Sequence, residues 1–140
     1  MMNTKKTTRF IACLIMMLLL SNIVMPITFA RASSFINSYS TSLSTGGNGN
    51  VTVSFNITGT RIMTEIGTTR IELRENGTLV AVYLHTNTSG MMGYNKFIHA
   101  GTVTYKGVTG RSYIATVSFR AGNSDGSDSR TVLTNTIVAR

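Results

Sequence analysis

The sequence predicts an all-β domain of seven short antiparallel strands packed as a two-sheet sandwich, preceded by a signal peptide. Apolar and polar side chains alternate with a period of two from residue 35 onward, which is typical of strands that bury one face. Clusters of Gly, Asn, Asp and Ser separate these stretches at intervals of roughly ten residues, as turns do in such domains. The 3.6-residue period of an amphipathic helix does not extend over any stretch of useful length.

The first 32 residues have the three-part pattern of a secretory signal peptide. A positively charged start is followed by an apolar run over residues 10–24 and then by small residues. Cleavage is expected after Ala30 or after Ala32. An uncleaved membrane anchor is the alternative, but the apolar run is short for a stable membrane span. We therefore expect a secreted, extracellular domain of residues 33–140 that has no membrane attachment after cleavage.

The charge and composition of residues 33–140 exclude several kinds of site. The whole chain has 13 Lys and Arg against five Asp and Glu, a net charge of +8, and one Cys. Four of the cations and the Cys lie within residues 1–32, so the predicted mature domain carries a net charge of +4 and has no thiol. This excludes a disulfide-stabilised miniprotein, a cysteine zinc site and a thiol nucleophile. The mature domain also lacks the Lys/Arg clusters with interleaved aromatics that favour nucleic-acid binding.

The strand predictions differ in how clear their pattern is. Residues 111–122 alternate most strictly, with Tyr113 and Val117 among the side chains expected to face inward. Asn76-Gly77 is the strongest hairpin signal in the chain. Residues 59–67 are predicted to be a connecting loop with at most one helical turn. The seven predicted strands are residues 35–44, 51–57, 68–75, 79–86, 97–105, 111–122 and 129–139.

Tyr113 stands at the head of the penultimate predicted strand, shortly after the turn at Gly110. This placement resembles the tyrosine corner of immunoglobulin-like and fibronectin type III-like domains, in which the phenol hydrogen-bonds to the preceding backbone. The mature domain has no Cys-Trp-Cys core, so the fibronectin-like variant is the closer analogue. A closed barrel is the alternative architecture.

Three loop and turn segments carry a resemblance to a known family. They are residues 46–57, residues 88–93 (Thr-Ser-Gly-Met-Met-Gly) and residues 125–131 (Asp-Gly-Ser-Asp-Ser-Arg-Thr). Together they make residues 33–140 similar to an uncharacterised family of small secreted proteins from Gram-positive bacteria. The resemblance implies an immunoglobulin-like or fibronectin-like fold and an extracellular location. It implies no activity, because the family has none assigned.

Catalytic and metal-binding motifs were sought among the ionisable residues. A Ser-His-Asp set could be drawn from His99, one of the many serines and Asp125, but nothing in the sequence requires these groups to meet. The two histidines lack an indicated third metal ligand. Residues 125–129 contain two carboxylates, too few for a self-contained calcium loop. We therefore predict a protein that is not an enzyme and that has no cofactor or metal.

Candidate contact residues lie on the predicted sheet surface and in the predicted loops. Arg70, Arg74 and Arg120 occupy outward positions and would form a shallow cationic face. The alternative is a solvated face on which glutamates are interspersed with these arginines. Met91 and Met92 interrupt a polar loop and are candidates for a partner contact. The more common arrangement is that one Met of such a pair packs into the open end of the sandwich and the other stays partly exposed.

Two functions fit these observations. The first is an extracellular binding or structural module that recognises a cell-wall polymer, a glycan or another extracellular protein, through residues 59–67 and 86–96 or through the arginine face. The second is a secreted effector or bacteriocin-like factor that acts on neighbouring cells.

Overall fold

The computed structural model describes residues 33–140, so the signal-peptide and cleavage-site predictions lie outside the described residues. The all-β prediction is confirmed: these residues form seven antiparallel strands and no helix. Accordingly, no helix long and apolar enough to cross a membrane occurs among them. The strands are β1 (Ile36–Thr45), β2 (Asn50–Glu75), β3 (Thr78–Leu84), β4 (Met92–Lys106), β5 (Ser112–Asn123), β6 (Gly126–Leu133) and β7 (Ile137–Val138).

The 26-residue strand β2 organises the sheet, because it pairs with four other strands. Its first part, up to Gly59, pairs with β1 and β4. Its second part, from Met63, pairs with the start of β4, with β5 and then with β3. The register with β4 shifts between Thr58 and Met63, where the strand passes from one part to the other. With β6 and β7 paired to β5, all seven strands join in one curled antiparallel sheet.

Three of the predicted element boundaries are wrong, and one of them is the start of β4, which lies at Met92 rather than at residue 97. The predicted loop at residues 59–67 is the middle of β2, because β4 and β5 supply hydrogen-bonding partners there. The predicted strand at residues 129–139 is divided into β6 and β7. Thr134 separates them: its N–H donates to the carbonyl of Ala115 (2.9 Å) and its hydroxyl accepts the N–H of Ala115 (3.0 Å). Two predicted strands, 51–57 and 68–75, are thus joined in β2, while the predicted strand 129–139 is divided into β6 and β7. The total therefore remains the predicted seven.

The predicted hairpin at Asn76-Gly77 is confirmed. It joins β2 to β3 and both residues have positive φ, 45° at Asn76 and 86° at Gly77. A two-residue turn of this kind matches the right-handed twist of the flanking strands. The hairpin brings β3 onto the second part of β2 and leaves the opposite edge of β2 to β5.

The core is one cluster of buried side chains, supplied mainly by β2 and β5. On β5 the predicted inward residues are all fully buried, and on β2 the buried positions continue through Met63 and Ile66. Burial of this apolar surface is the main source of stability for such a domain. The inward residues of β5 are Tyr113, Ala115, Val117, Phe119 and Ala121.

Candidate functional site

A surface cleft of about 500 Å³ lies where β4, β2 and β5 meet the turn between β5 and β6. All but one of its lining residues carry a polar side chain or a phenol, and the exception is a glycine in the turn. Ligand pockets are usually lined mostly by apolar side chains, so a lining as polar as this one favours a ligand that is itself rich in hydrogen-bonding groups. The lining residues are Thr64, Glu65, Tyr94, Arg120, Asn123, Ser124, Gly126 and Ser127.

Strand register places the charged and aromatic side chains of the cleft next to one another. Glu65 of β2 pairs with Tyr94 of β4 on one side and with Gly122 of β5 on the other. Two residues further along β2, Gly67 pairs with Met92 of β4 and with Arg120 of β5. Residues directly opposite each other across antiparallel strands share one face of the sheet. The cleft is therefore built on paired backbone rather than on a mobile loop.

Gly67 is the position that allows this close arrangement. A Cβ atom there would collide with the carbonyl oxygen of Met91. That same carbonyl accepts the backbone N–H of Thr68 at 2.7 Å, which ties the segment before β4 to the middle of β2. The chain crosses itself closely here, so this position requires glycine.

An ion pair forms one wall of the cleft. Arg120 Nε donates to Glu65 Oε1 at 2.5 Å, and the two side chains remain 43% and 35% exposed. The Tyr94 side chain beside them is 61% exposed. In the adjoining turn, Asn123 Oδ1 accepts the N–H of Asp125 at 2.8 Å. The cleft thus presents an accessible aromatic ring next to charged, amide and hydroxyl groups that both donate and accept hydrogen bonds.

The other predicted arginines lie on the same outer surface but are paired with glutamates. Arg70 Nε contacts Glu72 Oε1 at 2.8 Å, and Arg74 reaches the second oxygen of Glu72 at 3.7 Å. This is the interspersed arrangement that was the alternative to a cationic face. Of the three arginines, only Arg120 lines the cleft.

The methionine pair divides between the core and the cleft's surroundings. Met91 is fully buried in the core cluster, so its prediction as a surface contact is wrong. The Met91 side chain packs in the core, and its backbone carbonyl accepts the N–H of Thr68. Met92 is half-buried and is the first residue of β4, two residues before Tyr94. Of the two, Met92 is the one that lies close to the cleft.

Tyr113 has a structural position away from the cleft. Its hydroxyl accepts the backbone N–H of Val108 at 2.8 Å and donates to Glu75 Oε2 at 2.5 Å. Burial, together with the hydrogen bond to Glu75, raises the pKa of the Tyr113 hydroxyl above its ordinary value of 10.0. The side chain therefore joins β5, the preceding turn and the end of β2.

The histidines and Asp128 also have separate structural surroundings. His99 Nε2 lies 2.9 Å from the carbonyl oxygen of Gly90, and His85 is exposed just after β3. Asp128 on β6 accepts hydrogen bonds from the Ser33 hydroxyl (2.6 Å) and from the N–H groups of the next two residues. These bonds, chiefly that from Ser33, lower the pKa of Asp128. Within residues 33–140, His, Cys, Asp and Glu side chains do not gather in any group of three that could hold a metal ion.

Sequence reasoning identified Arg120 and two of the segments that line the cleft, but not Glu65, Tyr94 or the turn between β5 and β6. Residues 59–67 and 86–96 contribute Glu65 and Tyr94, yet both segments were predicted as loops. The one signal that could have indicated Tyr94 from the sequence is that it is an aromatic residue between a glycine and an asparagine.

No family model, curated protein or solved structure matches the chain. The fold and the cleft define a class all the same: an all-β protein with a polar surface cleft beside an exposed tyrosine. Its function must be argued from the geometry of that cleft.

Proposed function

We propose that the protein is a secreted, non-catalytic binding module with a fibronectin type III-like β-sandwich, and that it binds an extracellular partner through the cleft around Tyr94. One observation carries this proposal. An exposed aromatic ring, an ion pair and several hydroxyl and amide groups converge in one concave site on rigid strands. An accessible ring with polar groups at its edge supplies both contact area and orientation to a ligand.

The state of the carboxylates supports binding rather than catalysis. General acid–base chemistry needs a carboxylate that can exchange a proton with a substrate. Each of the five carboxylates in residues 33–140 is already engaged: Glu65 with Arg120, Glu72 with Arg70, Glu75 with Tyr113, Asp125 with Arg61 and Asp128 with Ser33. These contacts favour roles in structure or in ligand binding for the acidic residues, rather than roles in proton transfer.

Secretion and the sandwich architecture belong to the same proposal. The signal-peptide pattern of residues 1–32 supports an extracellular location. The resemblance to small secreted Gram-positive proteins supports it as well. For the sandwich, the support is the pairing of the two parts of β2 with different neighbours, together with the hydrogen bond from Val108 to the Tyr113 hydroxyl.

A secretion and sedimentation experiment tests the proposal. The full chain is expressed in a Gram-positive host, and protein recovered from the medium is identified by its mass. That protein is then mixed with purified cell walls and centrifuged. We expect it to sediment with walls, and we expect Tyr94→Ala to leave it in the supernatant. Phe97→Ala is the matched control, because Phe97 is an exposed aromatic residue on the same strand that does not line the cleft.

Two results would overturn the proposal. The first is protein that stays inside the cell uncleaved. The second is wall binding that Tyr94→Ala and Phe97→Ala reduce equally. Growth inhibition of neighbouring bacteria by the purified protein, with no wall binding, would favour the effector function instead.

A further inference from the structure

We infer that the cleft binds a neutral glycan chain, with one sugar ring stacked on Tyr94 and its hydroxyl groups bonded to Arg120, Glu65 and Asn123. This inference rests on the proposed function, because it names the ligand class of the same site. Three properties of the cleft support a neutral glycan as its ligand: the position of its aromatic ring, the mixture of its polar groups and its charge balance.

Tyr94 is suited to stacking because it is both accessible and held in place. Tyr94 is 61% exposed, while its backbone is held by pairing with Glu65 of β2. A pyranose ring has one face of C–H groups and a rim of hydroxyls, so it can cover an aromatic ring while its rim remains hydrogen-bonded. The tyrosine ring supplies this contact area at little cost in conformational entropy, because it has few rotatable bonds.

The polar groups of the cleft match hydroxyls better than they match charged ligands. A sugar hydroxyl both donates and accepts, and neighbouring hydroxyls do so side by side. Arg120 offers several N–H donors in one plane, Glu65 offers acceptors, and the Asn123 amide offers both. Hydroxyl groups of Thr64 and Ser127 also line the cleft and can adopt either role.

The charge balance favours a neutral chain over an acidic one. Arg120 is held at 2.5 Å by Glu65, so the positive charge in the cleft has a negative charge beside it. In the adjoining turn, Asp125 is paired with Arg61 at 2.9 Å. A polyanion entering the cleft would meet the Glu65 carboxylate, and like charges repel strongly where water is partly excluded. A neutral glycan makes the same hydrogen bonds without that repulsion.

Isothermal titration calorimetry on the secreted mature protein tests the inference. The neutral probes are dextran, galactomannan, hydroxyethylcellulose and glycol chitin, and the acidic probe is polygalacturonate. We expect at least one neutral polymer to bind, with an affinity that is unchanged in about 1 M NaCl, where the Debye length is only ~3 Å. Tyr94→Ala should weaken binding about tenfold or more, as removal of a central aromatic contact does. Phe97→Ala should leave it unchanged.

A second variant separates the two ligand chemistries. Glu65→Gln keeps the shape of the side chain but removes its charge. We expect it to weaken binding of the neutral polymer several-fold, because a strong acceptor is replaced by a weaker one. If the cleft instead binds anions, this variant would strengthen binding of polygalacturonate.

The possible results distinguish this inference from the proposed function. Binding of polygalacturonate alone, released by salt, overturns the neutral-glycan inference and leaves the binding module standing. Wall sedimentation that depends on Tyr94, with no binding of any polysaccharide, also overturns the inference and identifies a protein partner. Failure of both wall sedimentation and polysaccharide binding overturns both proposals.

Discussion

Replacing Tyr113 by Phe removes one hydroxyl that joins three parts of the domain. The hydroxyl accepts the N–H of Val108 and donates to Glu75, at 2.8 and 2.5 Å. A hydrogen bond to a charged group contributes about 1.5–3 kcal/mol and a neutral one about 1 kcal/mol. Because Glu75 and the Val108 turn are both partly exposed, water replaces part of what is lost. We therefore expect the free energy of unfolding to fall by about 2 kcal/mol.

The measurement is thermal and urea unfolding of the mature domain, followed by circular dichroism. A loss of about 2 kcal/mol lowers the melting temperature by roughly 8 °C for a domain of this size. Tyr105→Phe is the control, since its ring lies 6.2 Å from that of Tyr113 and it carries the same hydroxyl. We expect this control to change stability by less than about 0.5 kcal/mol. An unchanged midpoint for Tyr113→Phe, or an equal loss in both variants, would refute the structural role assigned to the Tyr113 hydroxyl.

Three further changes test the core and the acidic residues. Thr68→Val should stabilise the domain by about 1 kcal/mol, because the buried Thr68 hydroxyl has no hydrogen-bond partner among the described residues; a lower urea midpoint would show that the hydroxyl is bonded. The pKa of Asp128 lies below its usual 3.8, so its contribution to stability is complete well above pH 3.8 and is lost as the pH falls below that value. Acid titration of Asp128→Asn should accordingly show a weaker loss of stability at low pH, and an unchanged acid limb would contradict the contact with Ser33. Val117→Asp should abolish cooperative unfolding, because it buries an unpaired charge. The control Val138→Asp, at an exposed position, should leave the domain folded. A cooperatively folded Val117→Asp protein would mean that β5 faces the other way.

Much of the fold could be predicted because the central strands β2 and β5 bury alternate side chains over most of their length. On β5 the alternation from Tyr113 to Phe119 follows the burial of every second residue. The Asn76-Gly77 turn could be predicted because its backbone requires two residues that tolerate positive φ. These features depend on local geometry, which a single sequence records directly.

The middle of β2 could not be predicted in the same way. Ile66, Gly67 and Thr68 are all buried, so the period of two disappears there. They are buried because the segment around Met91 crosses over Gly67, a contact between residues distant in sequence. A local pattern cannot show such a crossing, and a glycine at a close approach has the same appearance in sequence as a glycine in a loop.

The cleft was predictable only in part for the same reason. Arg120 was a candidate because its strand alternates clearly. Its neighbours Glu65 and Tyr94 come together through the pairing of β2 with β4, which extends well beyond the predicted strand at residues 97–105. Prediction of the site therefore required the register of a strand pair, and that register depends on the folded domain as a whole.

The location of the binding site is tested most directly by nuclear magnetic resonance of the ¹⁵N-labelled mature domain. Spectra are recorded while glycan fragments solubilised from bacterial walls are added. The account predicts that the amide signals of Thr64, Glu65, Tyr94 and Asn123 and the Arg120 side-chain signal move together, while those near Phe97 stay in place. Spectra that do not change, or changes confined to the far end of the sheet, would contradict a binding site at this cleft.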